Sequence, residues 1–452
     1  MRTKKAIIYP EKYLIKNATV VNEGQMVTAD VLIQDGLIKA IEKNISDTPA
    51  IIIDATGKYL LPGIIDCHVH FREPGNTHKG DIYSESKAAV AGGVTSFIDM
   101  PNTKPHALTQ SLLVEKYRLA SEKSLANFGF MLGVNADNIK EIIQTNTDLI
   151  LGVTDDGLYF ANKGNLLADN PEILETLFAN CKALIAIHSE KESIIEENEW
   201  IYRGYYGENI PLELHPVIRS EKACYDATSQ TIEIAKKYST KLHFLHISTV
   251  AETNLFRNDI PLIEKNITAE VSVHHLWFSD KDYQKLGNLI KWNPAIKTEA
   301  DKQGLLQALI DNRIDIVTSD HAPHTLEEKQ RPYLQSMSGA PIIQHSLNIM
   351  LELYKQGKIT LQKIVEKMCH NPAILYRLKN RGFIRKGYYA DLVLVDLDAA
   401  HTVSKQNIFY KCGWSPLEGT IFNSQIQKTF VNGNLVYDNG SFNETYKGMS
   451  IH

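Results

Sequence analysis

The sequence predicts an α/β fold: a closed (β/α)8 barrel of the TIM type, with a small β-rich domain built from both chain termini. Two observations lead there. The middle of the chain, about residues 61–385, alternates eight short apolar runs with segments of helical apolar spacing. Both ends instead alternate apolar and polar residues at the period of two expected of half-buried strands. A third observation weighs against an open doubly wound sheet, since the G-x-G-x-x-G loop of its dinucleotide-binding form is absent.

The N-terminal stretch reads "YLIKNATVV", "ADVLIQDGLIKAIE" and "AIIIDATGKYLL", with Asp35–Gly36 as a hairpin turn. The C-terminal stretch reads "YYADLVLVDL" and "KTFVNGNLVYDNG", with Asn432–Gly433 as a second hairpin turn. Residues 1–60 and 386–452 are therefore expected to form one composite domain. Between them run "GIIDCHVHF", "VTSFIDM", "NFGFMLGV", "LILGVTDD", "LIAIHSE", "LHFLHIS", "ITAEVSVHHL" and "DIVTSDHAPH". Helical patterns such as "SESKAAVAGG" and "ATSQTIEIAKKYS" separate them, which implies parallel strands joined by right-handed crossovers. Eight such units close a barrel spanning 61–385.

Composition removes several function classes. The 452 residues are 43% hydrophobic and 22% charged, which excludes a disordered chain, a collagen-like chain and a disulfide scaffold. Lys plus Arg number 48 against 53 Asp plus Glu, a formal charge of −5. That balance argues against nucleic acid and against a polybasic membrane patch, but not against a small anionic substrate. The five cysteines form no C-x-x-C pair and read as free thiols in a reducing, cytoplasmic compartment. Arg2, Lys4 and Lys5 imitate the start of a signal peptide, but the apolar run Ala6 to Tyr9 stops at Pro10. No apolar run is long enough to predict a transmembrane helix.

Most of the eight runs end in residues that are costly to bury. The first ends in His68 and His70, the second is followed by Asn102, and the fourth ends in Asp155 and Asp156. The fifth ends in His188, the sixth in His246, and the eighth in Asp320, His321 and His324. Barrel strands converge at their C-terminal ends, so these residues become neighbours at one mouth. In H-x-H on a strand, both rings point to one face, about 6–7 Å apart at Cα. A lone strand histidine usually belongs to the core or rim. Four imidazoles and two carboxylates at equivalent strand ends are hard to explain by packing, and they suit Zn²⁺ or a similar divalent ion, one or two per subunit. Either Asp155 or Asp156 could bridge two ions, and Asp-Gly also makes a turn. A metal-activated water would supply the nucleophile, with Asp320 as general base and then acid. Arg72 shares the strand phase of His70 and could bind a substrate carboxylate bidentately, or simply pair with Glu73 at the rim. Asn102 and Asn293 could add amide hydrogen bonds or cap loops beside proline. His274–His275, on the seventh run, is expected to be structural.

"GIIDCHVHFREPG", "MPNT", "TDDG", "HIST", "NP" and "SDHAPH", in that order, resemble the dihydroorotases of the amidohydrolase superfamily, over nearly the whole chain. The resemblance implies a two-metal site in which His68 and His70 hold one ion and His188 and His246 the other. The fourth run has no lysine to carboxylate, which is similar to bacterial type I dihydroorotases, and implies Asp156 as the bridge. It also implies Asp320 as catalytic residue and metal ligand, and Arg72, Asn102, Asn293 and His324 as substrate contacts. Two departures stand out: "HSE" follows the fifth strand where "HCE" is frequent, and "SGAPIIQHSL" replaces "PFGIVGLE", placing Ala340 and Pro341 at the substrate-contacting pair. The implied reaction is reversible hydrolysis of (S)-dihydroorotate to N-carbamoyl-L-aspartate in pyrimidine synthesis, by a cytoplasmic enzyme with room for a homodimer. Two alternatives are another cyclic-amide hydrolase (an allantoinase or dihydropyrimidinase) and a catalytically dead scaffold, such as those that partner aspartate transcarbamoylase. The first usually carries the bridging lysine missing here, and the second has typically lost ligands that this chain keeps.

Overall fold

The computed structural model describes residues 12–46, 50–147, 150–158 and 167–452. The charged start and short apolar run at residues 2–10, and Leu149 of the fourth apolar run, lie outside the described residues.

Period-two alternation at both ends becomes one nine-stranded sheet. Tyr59–Pro62 joins the two halves. It pairs in parallel with Tyr13–Asn22 and antiparallel with Leu392–Asp396, placing Leu60 opposite Leu394. The expected hairpins are present. Gln25–Gln34 turns into Leu37–Glu42 through Asp35 and Gly36, with φ of +54° and +78°. Gln425–Val431 turns into Asn434–Asp438 through Asn432 and Gly433, at +49° and +77°. Two successive left-handed residues match the twist of the flanking strands, which is why Asp-Gly and Asn-Gly stand there.

The barrel strands are Ile64–Val69, Val94–Asp99, Asn127–Phe130 continuing as Leu132–Gly133, Val153–Thr154, Ile185–Ile187, Leu242–Phe244, Ile267–Ser272 and Ile316–Thr318. Sequence neighbours pair in parallel. The ring closes where Val69 bridges His321 in parallel and His70 N–H donates to the His321 carbonyl at 2.8 Å. The third strand is broken at Met131, whose N–H reaches the Asp99 carbonyl at 3.1 Å.

Helices begin where capping residues satisfy the first N–H groups. Asp81 with Ser84 caps Ile82–Ala91, Ser220 caps Glu221–Tyr238, and Thr298 with Asp301 caps Glu299–Ile310. Glu221–Tyr238 buries Ala223, Cys224, Ala227, Thr228, Thr231, Ile232 and Ala235, one stripe at helical spacing laid on the barrel wall. The seventh strand is shorter than its apolar run suggests. It stops at Ser272, and His274 and His275 lie in a short helix, Val273–Trp277. Among the described residues, no helix is long and apolar enough to cross a membrane. All five cysteines are free thiols.

Candidate metal centre and substrate pocket

The strand ends bring two sets of ligand atoms together. In the first, His68 Nε2 lies 3.3 Å from Asp156 Oδ2 and 3.5 Å from Asp320 Oδ1. His70 Nε2 lies 3.3 Å from each of the same two oxygens. In the second, His188 Nδ1 is 3.1 Å from His246 Nε2, and each lies 3.8 Å from Asp156 Oδ1. The donor set and spacing fit a divalent ion, because tetrahedral ligands about 2.1 Å from a metal stand about 3.4 Å from one another. Asp156 offers Oδ2 to one set and Oδ1 to the other, and its neighbour is turned away. Asp155 accepts the N–H groups of His188 and Leu167, at 3.0 and 3.2 Å. Burial pushes the Asp155 carboxyl up to about 7.

Outer partners orient the rings. His68 Nδ1 meets Glu270 Oε1 at 2.6 Å, and His70 Nδ1 meets Asn102 Oδ1 at 2.8 Å. His188 Nε2 meets Glu190 Oε2 at 2.8 Å, and Glu190 in turn pairs with Arg219. In each ring the other nitrogen is left for the cluster. Burial opposes charge on His68, but the carboxylates of Glu270, Asp320 and Asp156 outweigh it and raise its pKa well above the ordinary value. Burial likewise opposes charge on Asp156, yet His68, His246 and His70 hold it well below the usual carboxylate range. Arg72, His246 and Asp320 all sit at positive φ, +67°, +33° and +47°. Non-glycine residues avoid this region, and three of them at one mouth mark a site where backbone strain is spent on aiming side chains.

Beside the clusters lies a cavity of about 300 Å³, lined in part by His70, Arg72, Lys79, Asn102, Asp156, His246, Trp292, Asn293, Asp320, His324, Ser338 and Gly339. Arg72 does not pair with Glu73, which instead binds Lys123 and accepts the Ile82 N–H. The Arg72 Nε donates to the Pro323 carbonyl at 3.0 Å, and Nη2 lies 3.0 Å from His324 Nε2. Burial lowers its pKa to about 10, still charged at neutral pH. Asn293 Oδ1 accepts from Ser338 Oγ at 3.0 Å.

Ala340 and Pro341, expected at the substrate-contacting pair, are set back from the cavity. Neither lines this cavity, whose wall here is Met337, Ser338 and Gly339. The chain turns inward after Gly339: Ala340 is fully buried, bridges His321 and accepts the Ala322 N–H at 3.1 Å. Gly339, at φ +112°, sits so close to Ala322 that a Cβ would fall 2.6 Å from its side chain. The Lys329 ammonium pins the turn by donating to the Met337 and Gly339 carbonyls at 2.8 Å each.

Glu270, Glu190 and Lys79 lay outside the sequence expectations. Glu270 could have been flagged as a charged residue in an otherwise apolar run, and Glu190 as the acid two residues after His188. His274 and His275 are buried, and none of their ring nitrogens has a hydrogen-bond partner among the described residues. His274 stacks on Trp292 at 4.2 Å, consistent with packing.

Residues 59–436 match the amidohydrolase family. The chain is an amidohydrolase. The resemblance to dihydroorotases extends over most of the chain. The chain is 32% identical to a dihydroorotase of Methanosarcina acetivorans, over 90% of this chain and 88% of that one. It is also 32% identical to a dihydroorotase of Carboxydothermus hydrogenoformans, over 94% and 97%. Among solved structures, the amidohydrolase superposes on an L-hydantoinase (dihydropyrimidinase) from Arthrobacter aurescens with a TM-score of 0.88 and 25% identity, covering 96% of this chain and 97% of that one. A dihydropyrimidinase from Brevibacillus agri gives 0.83 at 25% identity, covering 95% and 96%.

Proposed function

We propose that this amidohydrolase is a dihydroorotase, catalysing the reversible hydrolysis of (S)-dihydroorotate to N-carbamoyl-L-aspartate in pyrimidine synthesis. The observation that carries the substrate is the Arg72 guanidinium, buried in the wall of the cavity that both ligand clusters share. A cyclic amide bearing a ring carboxylate needs such a cation, and a bare dihydropyrimidine ring does not.

His68, His70, Asp156 and Asp320 would hold one divalent ion, and His188, His246 and Asp156 a second, with Zn²⁺ suited to this donor set. Ions held there lower the pKa of water towards neutrality and polarise a carbonyl. Arg72, His324, Asn102 and Asn293 bind and orient the ring. Asp320 accepts the proton of the attacking water as the C–O bond forms. It returns that proton to the ring nitrogen as the C–N bond breaks, and in the reverse direction both transfers run backwards. The site sits on a barrel of residues 61–385, with 1–60 and 386–452 as a composite domain. Free thiols suit a cytoplasmic enzyme, and a homodimer is the proposed assembly.

The hydantoinase structures favour a second reading, a hydrolase of cyclic ureides lacking a carboxylate. Purified, metal-analysed protein given dihydroorotate, dihydrouracil and allantoin separates the two. Dihydroorotate should be turned over with the highest kcat/KM, and a preference for either of the others overturns the substrate.

A further inference from the structure

Lys79 stands in the cavity wall beside Arg72 and His324. Its Nζ lies 2.9 Å from His324 Nδ1 and 3.0 Å from Glu328 Oε1. Across the same imidazole, Nε2 lies 3.0 Å from Arg72 Nη2. Burial, with the Arg72 and Lys79 charges on either side, holds His324 neutral. A neutral imidazole has one N–H and one lone pair, and Arg72 and Lys79 are both donors. The ring can accept from only one of them.

The surroundings favour Lys79. If Nδ1 carried the proton, that N–H would face an ammonium at 2.9 Å. Glu328 Oε2 stands 3.6 Å away, beyond hydrogen-bond reach, and already accepts the Thr325 N–H at 3.0 Å. A capping box fixes that carboxylate: the Thr325 hydroxyl accepts the Glu328 N–H at 3.3 Å. With the lone pair on Nδ1, Glu328 Oε1 holds the ammonium and the ammonium donates to Nδ1, while Nε2–H meets the Arg72 Nη2 donor at 3.0 Å on the side open to the cavity, where an entering acceptor relieves the clash. Two adjacent donors, with no acceptor between them, are what a carboxylate oxygen completes.

We propose that Lys79 is a positioning residue for substrate recognition: by donating to Nδ1 it fixes His324 in the Nε2–H form, so that His324 and Arg72 present paired donors to the substrate carboxylate. This rests on the dihydroorotase reading and adds a residue to it. Lys79 itself need not touch substrate.

The test compares Lys79→Met and Lys79→Arg with wild type, each as metal-loaded holoenzyme, on dihydroorotate and dihydrouracil. Lys79→Met should raise KM for dihydroorotate about tenfold or more, the scale of one charge-assisted hydrogen bond, with kcat within about threefold. KM for dihydrouracil should stay nearly constant, and Lys79→Arg should recover most of the loss. Equal changes for both substrates, or none for dihydroorotate, overturn the proposal. A second measurement does not depend on the Lys79 variants folding. In ¹⁵N-histidine protein bound to N-carbamoyl-L-aspartate, the His324 signal, assigned by its loss in His324→Gln, should report a protonated Nε2 and a bare Nδ1. The opposite tautomer overturns the role of Lys79. Wild type that does not process dihydroorotate at all defeats the functional reading instead, so the two failures are distinct.

Discussion

Glu270 Oε1 lies 2.6 Å from His68 Nδ1, while its Oε2 lies 3.1 Å from His243 Nε2, so one buried carboxylate holds two imidazoles inside the barrel. It also accepts the Thr318 hydroxyl at 3.0 Å. The proton this pairing keeps on His68 Nδ1 is what leaves Nε2 aimed at Asp156 and Asp320. Glu270→Gln preserves the shape but removes the charge, and its amide can turn an N–H towards Nδ1. Outer partners of this kind typically contribute about 10–100-fold in metal affinity. A chelator-competition titration should show a loss of that size, with the Lys79 and Arg72 side of the pocket unaffected. Affinity within threefold of wild type would reduce Glu270 to a packing residue.

What the sequence made legible were residues whose chemistry is set by local spacing. H-x-H places two rings on one face of a strand whatever surrounds it, and each later candidate ligand announces itself as a polar residue ending an apolar run. The choice between Asp155 and Asp156 was not legible from the residues alone, since either carboxylate could turn the chain. The N–H groups of His188 and Leu167 occupy Asp155, which supports the proposal of Asp156 as the bridge. That Gly339 and not Ala340 or Pro341 lines the cavity was not legible, because the wall is set by contacts across the fold, the Lys329 Nζ and the close approach of Gly339 to Ala322. The helix holding His274 and His275 was missed because a short apolar run has no period long enough to tell helix from strand.

The two adjacent aspartates should separate in a metal analysis. Asp156→Ala removes the oxygens facing both clusters and should lower the metal content of each. Asp155→Ala removes two backbone acceptors and should lower thermal stability while retaining far more metal. The reverse order of metal content would mean that the bridging role belongs to Asp155.

Asp320 Oδ1 faces His68 and His70 at 3.5 and 3.3 Å. Burial opposes its charge, but the two histidines keep its pKa below the ordinary value, so the carboxylate is ionised at neutral pH and has a lone pair to take a proton. Asp320→Asn keeps the shape and an oxygen but cannot take the proton. General acid–base groups typically contribute 10²–10⁴-fold. The expected result is a fall in kcat of at least about 100-fold with bound metal largely retained. Activity within threefold of wild type would remove Asp320 from the proton path.

Far from the site, Lys367 is buried with its Nζ donating to the Ile314 carbonyl at 2.8 Å. Burial lowers its pKa to about 8. In the unfolded chain a lysine titrates near 10.4, so between these values the unfolded state binds more protons and stability rises with pH. Below pH 8 both states are charged and the full cost of the buried ammonium is present. Lys367→Met removes that cost. It should be least harmful, or stabilising, at pH 7, and about 3 kcal/mol less favourable relative to wild type once the pH passes 10. Urea midpoints of the two proteins across this range test it, and a difference independent of pH would show that Lys367 titrates normally.

Arg72 is the residue proposed to select the substrate. Its Nε is committed to the Pro323 carbonyl, which leaves the Nη groups to face the cavity beside His324. Arg72→Lys keeps the charge but loses the planar fork, and Arg72→Met loses both. Breaking a buried, hydrogen-bonded charge pair on one side typically costs about 2–5 kcal/mol, or roughly 30-fold to several thousandfold in kcat/KM. The loss should fall on dihydroorotate and spare dihydrouracil, the same ring without its carboxylate. Dihydrouracil is expected to be a poor substrate for the wild type, so the readout is the ratio of kcat/KM for the two substrates before and after substitution. In Arg72→Met that ratio should collapse by at least about 30-fold, and in Arg72→Lys by less. An unchanged ratio in Arg72→Met, with metal content intact, would show that the carboxylate is read elsewhere in the pocket. The donors left to read it would then be His324, Asn102, Asn293 and Lys79 of the wall.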